Sequence, residues 1–137
     1  MKRLLEPKFF VVLALLYTGF LTWGSLATIP TTTTTIALSD KFLHFVAYFG
    51  LSILWGVLGS IILFKKRSFR TTATPLFLKI GSVLIIYGIL IEGLQAWFTT
   101  NRMADVWDVV ANIIGVLLGL FFVFAVAKKR WQTDTKF

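Results

Sequence analysis

The chain has 137 residues, room for one domain, with 57% hydrophobic residues, 15% charged residues and no cysteine. Soluble domains run nearer 45–50% apolar and about 25% charged, so the composition excludes a soluble globule of this size, a disordered chain and a disulfide-stapled secreted domain. The formal charge of +8 is placed between apolar runs, as at a membrane surface, so no nucleic-acid partner is expected.

Four apolar stretches follow one another along the chain, at about 9–28, 42–64, 76–98 and 109–127. Each is roughly 20 residues long, enough to cross a hydrocarbon layer of ~30 Å at ~1.5 Å per residue. The expected fold class is therefore all-α, a single integral membrane domain built as a four-helix transmembrane bundle. The first stretch, preceded by Lys2 and Arg3 and ending near Ser25-Leu26-Ala27, has the outline of a signal peptide, but its full spanning length favours a retained anchor.

Basic residues set the direction of the spans. Lys2, Arg3 and Lys8 precede the first. Lys65, Lys66, Arg67, Arg70 and Lys79 lie between the second and third or just inside them, and Lys128, Lys129, Arg130 and Lys136 follow the fourth. Of the 14 Lys and Arg, only Lys41 and Arg102 fall at the other end. Cytoplasmic loops carry the excess of Lys and Arg, so both termini are expected in the cytoplasm. The uncharged threonine run between the first two spans reads as a linker. Trp23, Trp97 and Trp107 are expected near the outer interface, and Trp131 near the inner one.

The acids distribute differently. Glu6 and Asp134 are terminal, whereas Asp40, Glu92, Asp105 and Asp108 all fall at the outer end, beside Lys41, His44, Gln95, Asn101, Arg102 and Asn112. Asp40, His44 and Tyr48 recur at i, i+4 and i+8. Glu92 and Gln95 are i, i+3, and Asp105, Asp108 and Asn112 are i, i+3 and i+7, so each set shares one helix face. Facing one another, these stripes line a polar pocket open to the outside. Glu92 lies six positions before the end of its span, about 9 Å inward. An ionisable group there costs about 2.5–3.5 kcal/mol on insertion scales, so it requires a partner, and His44, Lys41 and Arg102 are the candidates. Asp40 and Asp105 are positioned to cap their helices and complement the dipoles. Gly115 and Gly119 form a small-x-x-x-small pair that favours close helix packing.

The polar positions read Asp40-Lys41-x-x-His44-x-x-x-Tyr48, then Glu92-x-x-Gln95, then Arg102-x-x-Asp105-x-x-Asp108-x-x-x-Asn112-x-x-Gly115-x-x-x-Gly119. This series resembles the VanZ-like family of small bacterial membrane proteins over roughly residues 40–119. The resemblance implies the bacterial cytoplasmic membrane and a role at the cell envelope, since the name-giving member is associated with resistance to the glycopeptide teicoplanin. It does not supply a reaction.

Several chemistries fit the same residues. In an enzyme of the outer leaflet, His44 is the general acid or base, Glu92 and Asp108 orient it or take the second proton role, and Lys41 and Arg102 hold a phosphate or carboxylate. Gln95, Tyr48 and Asn112 complete the substrate-binding set, and Asp40 and Asp105 frame the pocket. A non-catalytic lipid or antibiotic binder would use the same cations. The acids offer hard ligands and His44 a borderline one, but no spacing diagnoses a metal, and no cofactor is named by the sequence. Proton-coupled export through a buried Glu is disfavoured because no polar track continues toward the cytoplasmic end. Membrane lipids and a lipid-linked envelope molecule are the expected partners, and the sequence does not set an oligomeric state.

Overall fold

The computed structural model describes residues 6–27, 37–98 and 105–134, with the backbone alone at 37–39 and 134. They form four α-helices: α1 Pro7–Leu26, α2 Ala37–Lys65, α3 Phe69–Phe98 and α4 Val106–Asp134. All four are long and apolar enough to cross a membrane, and the fold is that of a multi-pass helical membrane protein. The helices overrun the apolar stretches at most ends. α3 begins at Phe69 and passes through Pro75, and α4 continues to Asp134. Hydropathy marks only the part of a helix that suits hydrocarbon, whereas the hydrogen-bond ladder runs on into the polar turns.

Local chemistry sets the ends. Pro7 opens α1, where its missing N–H costs nothing. α2 closes on Arg67, whose φ of 50° is left-handed. There the Ser68 amide donates to the Leu63 carbonyl and the Arg67 amide to that of Phe64, both at 3.1 Å, a Schellman ending that reverses the chain into α3. Asp105 caps α4: its Oδ1 accepts the Trp107 amide at 2.9 Å and its carbonyl accepts that of Asp108 at 3.0 Å.

Cross-helix contacts give the directions. His44 and Phe45 meet Asn112 and Gly115, and Gly56 lies against Val123, so α2 and α4 run parallel. His44 meets Glu92 and Gly59 lies against Ile80, so α3 runs the other way. α1 follows α3, with Thr22 beside Tyr87 and Ser25 beside Gln95. The helices therefore alternate. Pro7 and the last turns of α4 share one end of the bundle with the 65–68 turn, and with it most of the basic residues.

α2 and α4 make the most extensive interface. Gly115 and Gly119 allow it: a Cβ on Gly115 would stand 2.5 Å from the Phe45 carbonyl oxygen, and one on Gly119 would overlap Ser52 Oγ and come within 2.8 Å of the Phe49 carbonyl. Apolar surface gains little by leaving lipid for another helix, so such close backbone approach is what drives association. Tyr48, Leu51, Leu84, Val116, Leu120 and Val123 fill the centre. The outward faces carry large apolar side chains such as Leu16, Leu78, Leu90 and Phe121, as a lipid-facing surface requires.

α1 attaches differently. Tyr17 Oη donates to the Ala47 carbonyl at 3.1 Å, Thr22 Oγ1 and Tyr87 Oη are 2.8 Å apart, and Trp55 Nε1 donates to Thr18 Oγ1 at 3.4 Å. Trp131 lies at the basic end, as expected, and is half-buried there, stacked on Phe64 with ring centroids 5.7 Å apart and on Phe69 at 5.8 Å. Trp23, Trp97 and Trp107 are exposed at the opposite end.

Gly115→Ala is expected to destabilise the protein in detergent by about 1–3 kcal/mol, the usual cost of overpacking. Gly19→Ala, whose Cβ would meet nothing within 4 Å, leaves stability unchanged or raised. Thermal or SDS denaturation of the two variants checks this difference.

A buried imidazole–carboxylate–amide cluster as the candidate functional site

The end of the bundle opposite the basic turn gathers the polar residues from three helices. The first two turns of α2 carry Asp40, Lys41 and His44. The last turns of α3 carry Glu92, and the start of α4 carries Asp105, Asp108 and Asn112. The apolar residues between them turn toward lipid, as with Phe42, Leu43 and Val106, so the helical period directs the polar set inward.

Depth increases along the cluster. Lys41 and Asp105 are partly exposed and form an ion pair, and Lys41 Nζ also reaches Asp108 Oδ1 at 3.4 Å. Asp108 is buried. Beneath it lie His44, Glu92 and Asn112, with 9%, 4% and 2% of their surface exposed. These last three close a triangle. His44 Nδ1 stands 3.2 Å from both Glu92 Oε1 and Asn112 Oδ1, and Asn112 Nδ2 donates to Glu92 Oε1 at 3.4 Å. With two acceptor oxygens before it, Nδ1 is placed to donate, and Nε2 faces away from the triangle. On that side Asp40 Oδ1 is 4.0 Å away. Two carboxylates and one imidazole nitrogen, those of Asp40, Asp108 and His44, have donor atoms within 4.8 Å of one another. The set could hold a divalent cation, with Glu92 behind the imidazole in the manner of an outer-shell carboxylate.

The spacing argument thus brings His44, Glu92, Asp108 and Asn112 together, with Lys41, Asp40 and Asp105 around them. Three expected roles take a different form. Gln95 donates to the Ser25 carbonyl at 2.8 Å, so it ties α3 to α1. Tyr48 is 1% exposed in the core, its ring 6.0 Å from that of Tyr87, and its hydroxyl has no hydrogen bond among the described residues. Asp40 lies within the first turn of α2 rather than at its cap, because the helix begins at Ala37. Arg102, Asn101 and the threonine run lie outside the described residues. The hydroxyl seam of Thr18, Thr22, Tyr17 and Tyr87 escaped the sequence reading, since isolated hydroxyls in apolar helices follow no period that singles them out.

The class defined by fold and site is a multi-pass helical membrane protein with a buried ionisable cluster at one end. Comparison with protein-family models, curated proteins and solved structures finds no match, so the functional reading rests on the residues and their geometry.

Two outcomes follow. Removing either Glu92 or His44 leaves a buried polar partner unanswered. A double-mutant cycle of His44→Ala and Glu92→Ala is expected to show a coupling of about 0.5–3 kcal/mol in denaturation measurements.

At the outer edge, the Lys41 ammonium, and after it the Trp107 amide, hold the Asp105 carboxyl below its usual range. A carboxyl depressed on folding contributes stability above its unfolded value of about 3.9, and loses it as the pH falls through the folded value. The stability difference between the native protein and Asp105→Asn is therefore expected to be constant near neutrality and to shrink below about pH 4, as read from melting temperatures across pH.

Proposed function

We propose that this chain is a VanZ-like protein of the bacterial cytoplasmic membrane, with both termini in the cytoplasm, that acts from the outer face on a cell-envelope lipid or lipid-linked molecule. The orientation follows from the basic residues crowded at the end that also holds Pro7 and the last turns of α4. The reading is carried by one observation: His44 Nδ1 is fixed by Glu92 and Asn112 at 3.2 Å, which leaves Nε2 available beside Asp40 and Asp108.

An imidazole held this way is a general base. Nε2 takes a proton from water or a substrate hydroxyl, and Glu92 stabilises the imidazolium that forms. Lys41, released in part from Asp105 and Asp108, meets the phosphate or carboxylate of the substrate, with Arg102 as its companion by sequence. Asp108 lies within reach of both Lys41 and the open face of His44, so it orients the cation or returns the proton. The chemistry is hydrolysis or group transfer on an anionic head group, and the resemblance links it to teicoplanin resistance.

A second reading has a specific observation behind it. The Asp40, His44 and Asp108 donor set fits a divalent cation, which would polarise the same head group or serve binding without catalysis.

The test is lipid analysis of the envelope in a deletion strain complemented with the native gene, His44→Ala or Glu92→Gln. The expected result is a lipid species altered by deletion and restored only by the native chain, with both variants present in the membrane at native level. Rescue by both variants, or an unchanged lipid profile, overturns the catalytic reading. Graded loss on Lys41→Gln with full rescue by His44→Ala points to a binder. Loss of activity on chelation, restored by added metal, selects the cation-dependent form.

A further inference from the structure

The basic end of the bundle holds a cavity of about 440 Å³ between the first turns of α3 and the last turns of α4. Arg70 and Lys128 line it from opposite helices, joined by Thr74 and Gln132, over a floor that includes Phe69 and Trp131. The floor is firm: Phe69 is 3% exposed and stacks between Phe64, Phe124 and Trp131, with centroids 5.2–6.2 Å apart. The rim carries two cations. Among the described residues, neither Arg70 nor Lys128 forms an ion pair, whereas Lys41 at the other end has two acidic partners.

Topology alone does not account for this arrangement. A positive-inside signal needs Lys and Arg near the helix ends, and Lys65, Lys66, Lys129 and Arg130 supply that without any cavity. Two cations from different helices, without an acidic partner among the described residues, converging on one aromatic-floored recess are a different feature. Such recesses between spans, on the side where anionic lipid head groups concentrate, match a phosphodiester in charge and position. Thr74 and Gln132 add neutral hydrogen-bond donors, and the opening turn of α3 adds the positive end of its dipole. The same two helices expose large apolar side chains farther along, as at Leu78 and Phe121, which suit acyl chains.

We infer that the cavity between α3 and α4 is a binding site for one anionic phospholipid, whose head-group phosphate bridges Arg70 and Lys128 while its chains lie along the outer faces of the two helices. This site stands apart from the His44 cluster, and it rests on the orientation proposed above, with the basic end of the bundle in the cytoplasm.

The test uses the full chain purified in detergent, with native mass spectrometry against phosphatidylglycerol and phosphatidylcholine. Three proteins are compared: the native chain, Arg70→Gln/Lys128→Gln, and Lys65→Gln/Lys66→Gln, which removes the same charge from the same end outside the cavity. Expected is one phosphatidylglycerol retained on the native and Lys65/Lys66 proteins, with affinity reduced roughly tenfold or more in the Arg70/Lys128 protein. Phosphatidylcholine is retained by none. Melting temperatures measured without lipid show that the variants fold, and the single changes Arg70→Gln and Lys128→Gln each give part of the loss. Equal loss in both double variants overturns the proposal, because attraction to net charge then suffices. Undiminished binding by the Arg70/Lys128 protein also overturns it. Inorganic phosphate that raises the melting temperature as much as the lipid does would exclude a lipid site in favour of a soluble anion.

Discussion

A carboxyl group two turns inside an apolar helix must be answered by groups from other helices, and here the answer to Glu92 comes from His44 and Asn112. Each polar group in the triangle satisfies another, at 3.2–3.4 Å. In surroundings with little water, leaving one of them alone costs far more than the set gains in total. The requirement constrains the whole upper bundle. α2, α3 and α4 can slide or rotate past one another only by breaking the triangle, so a polar cluster that suits chemistry also fixes register.

The glycines make that register reachable. Gly115 and Gly119 follow Asn112 on the same face of α4, and their bare Cα atoms let α2 approach until Phe45 and Phe49 carbonyls nearly touch the opposing backbone. Asn112 is thereby brought within hydrogen-bond distance of His44, one residue before Phe45. Packing and polar satisfaction are the same event seen at neighbouring positions. α1 stands outside this arrangement. Its hydroxyls bond to carbonyls, hydroxyls and an indole rather than interlocking as bulk, and its main link to the upper end is the Gln95 amide on the Ser25 carbonyl.

Much of this was legible in the residues. Four apolar runs and their basic flanks gave four helices with alternating direction, and i, i+4 and i, i+7 spacings placed His44, Asp108 and Asn112 on inward faces. The sequence offers His44, Lys41 and Arg102 as partners of Glu92 without singling out His44, because that requires the rotation of α3 about its axis, which hydropathy does not specify. The helix ends were missed where polar turns continue the ladder, as at Phe69 and Asp134. The contacts of Gln95 and Trp131 were not legible for a related reason. Their types suit a binding site or an interface, but their actual neighbours, Ser25 and the Phe64–Phe69 stack, lie on elements distant in sequence or beyond a turn. Only three-dimensional proximity distinguishes these cases.

The chain order of the triangle has a consequence for biogenesis. Synthesis delivers α2 before α3 and α3 before α4. The imidazole is thus made before the acidic side chain, and the amide arrives last. The carboxylate therefore follows one of its partners along the growing chain, and the last helix supplies the amide that closes the set.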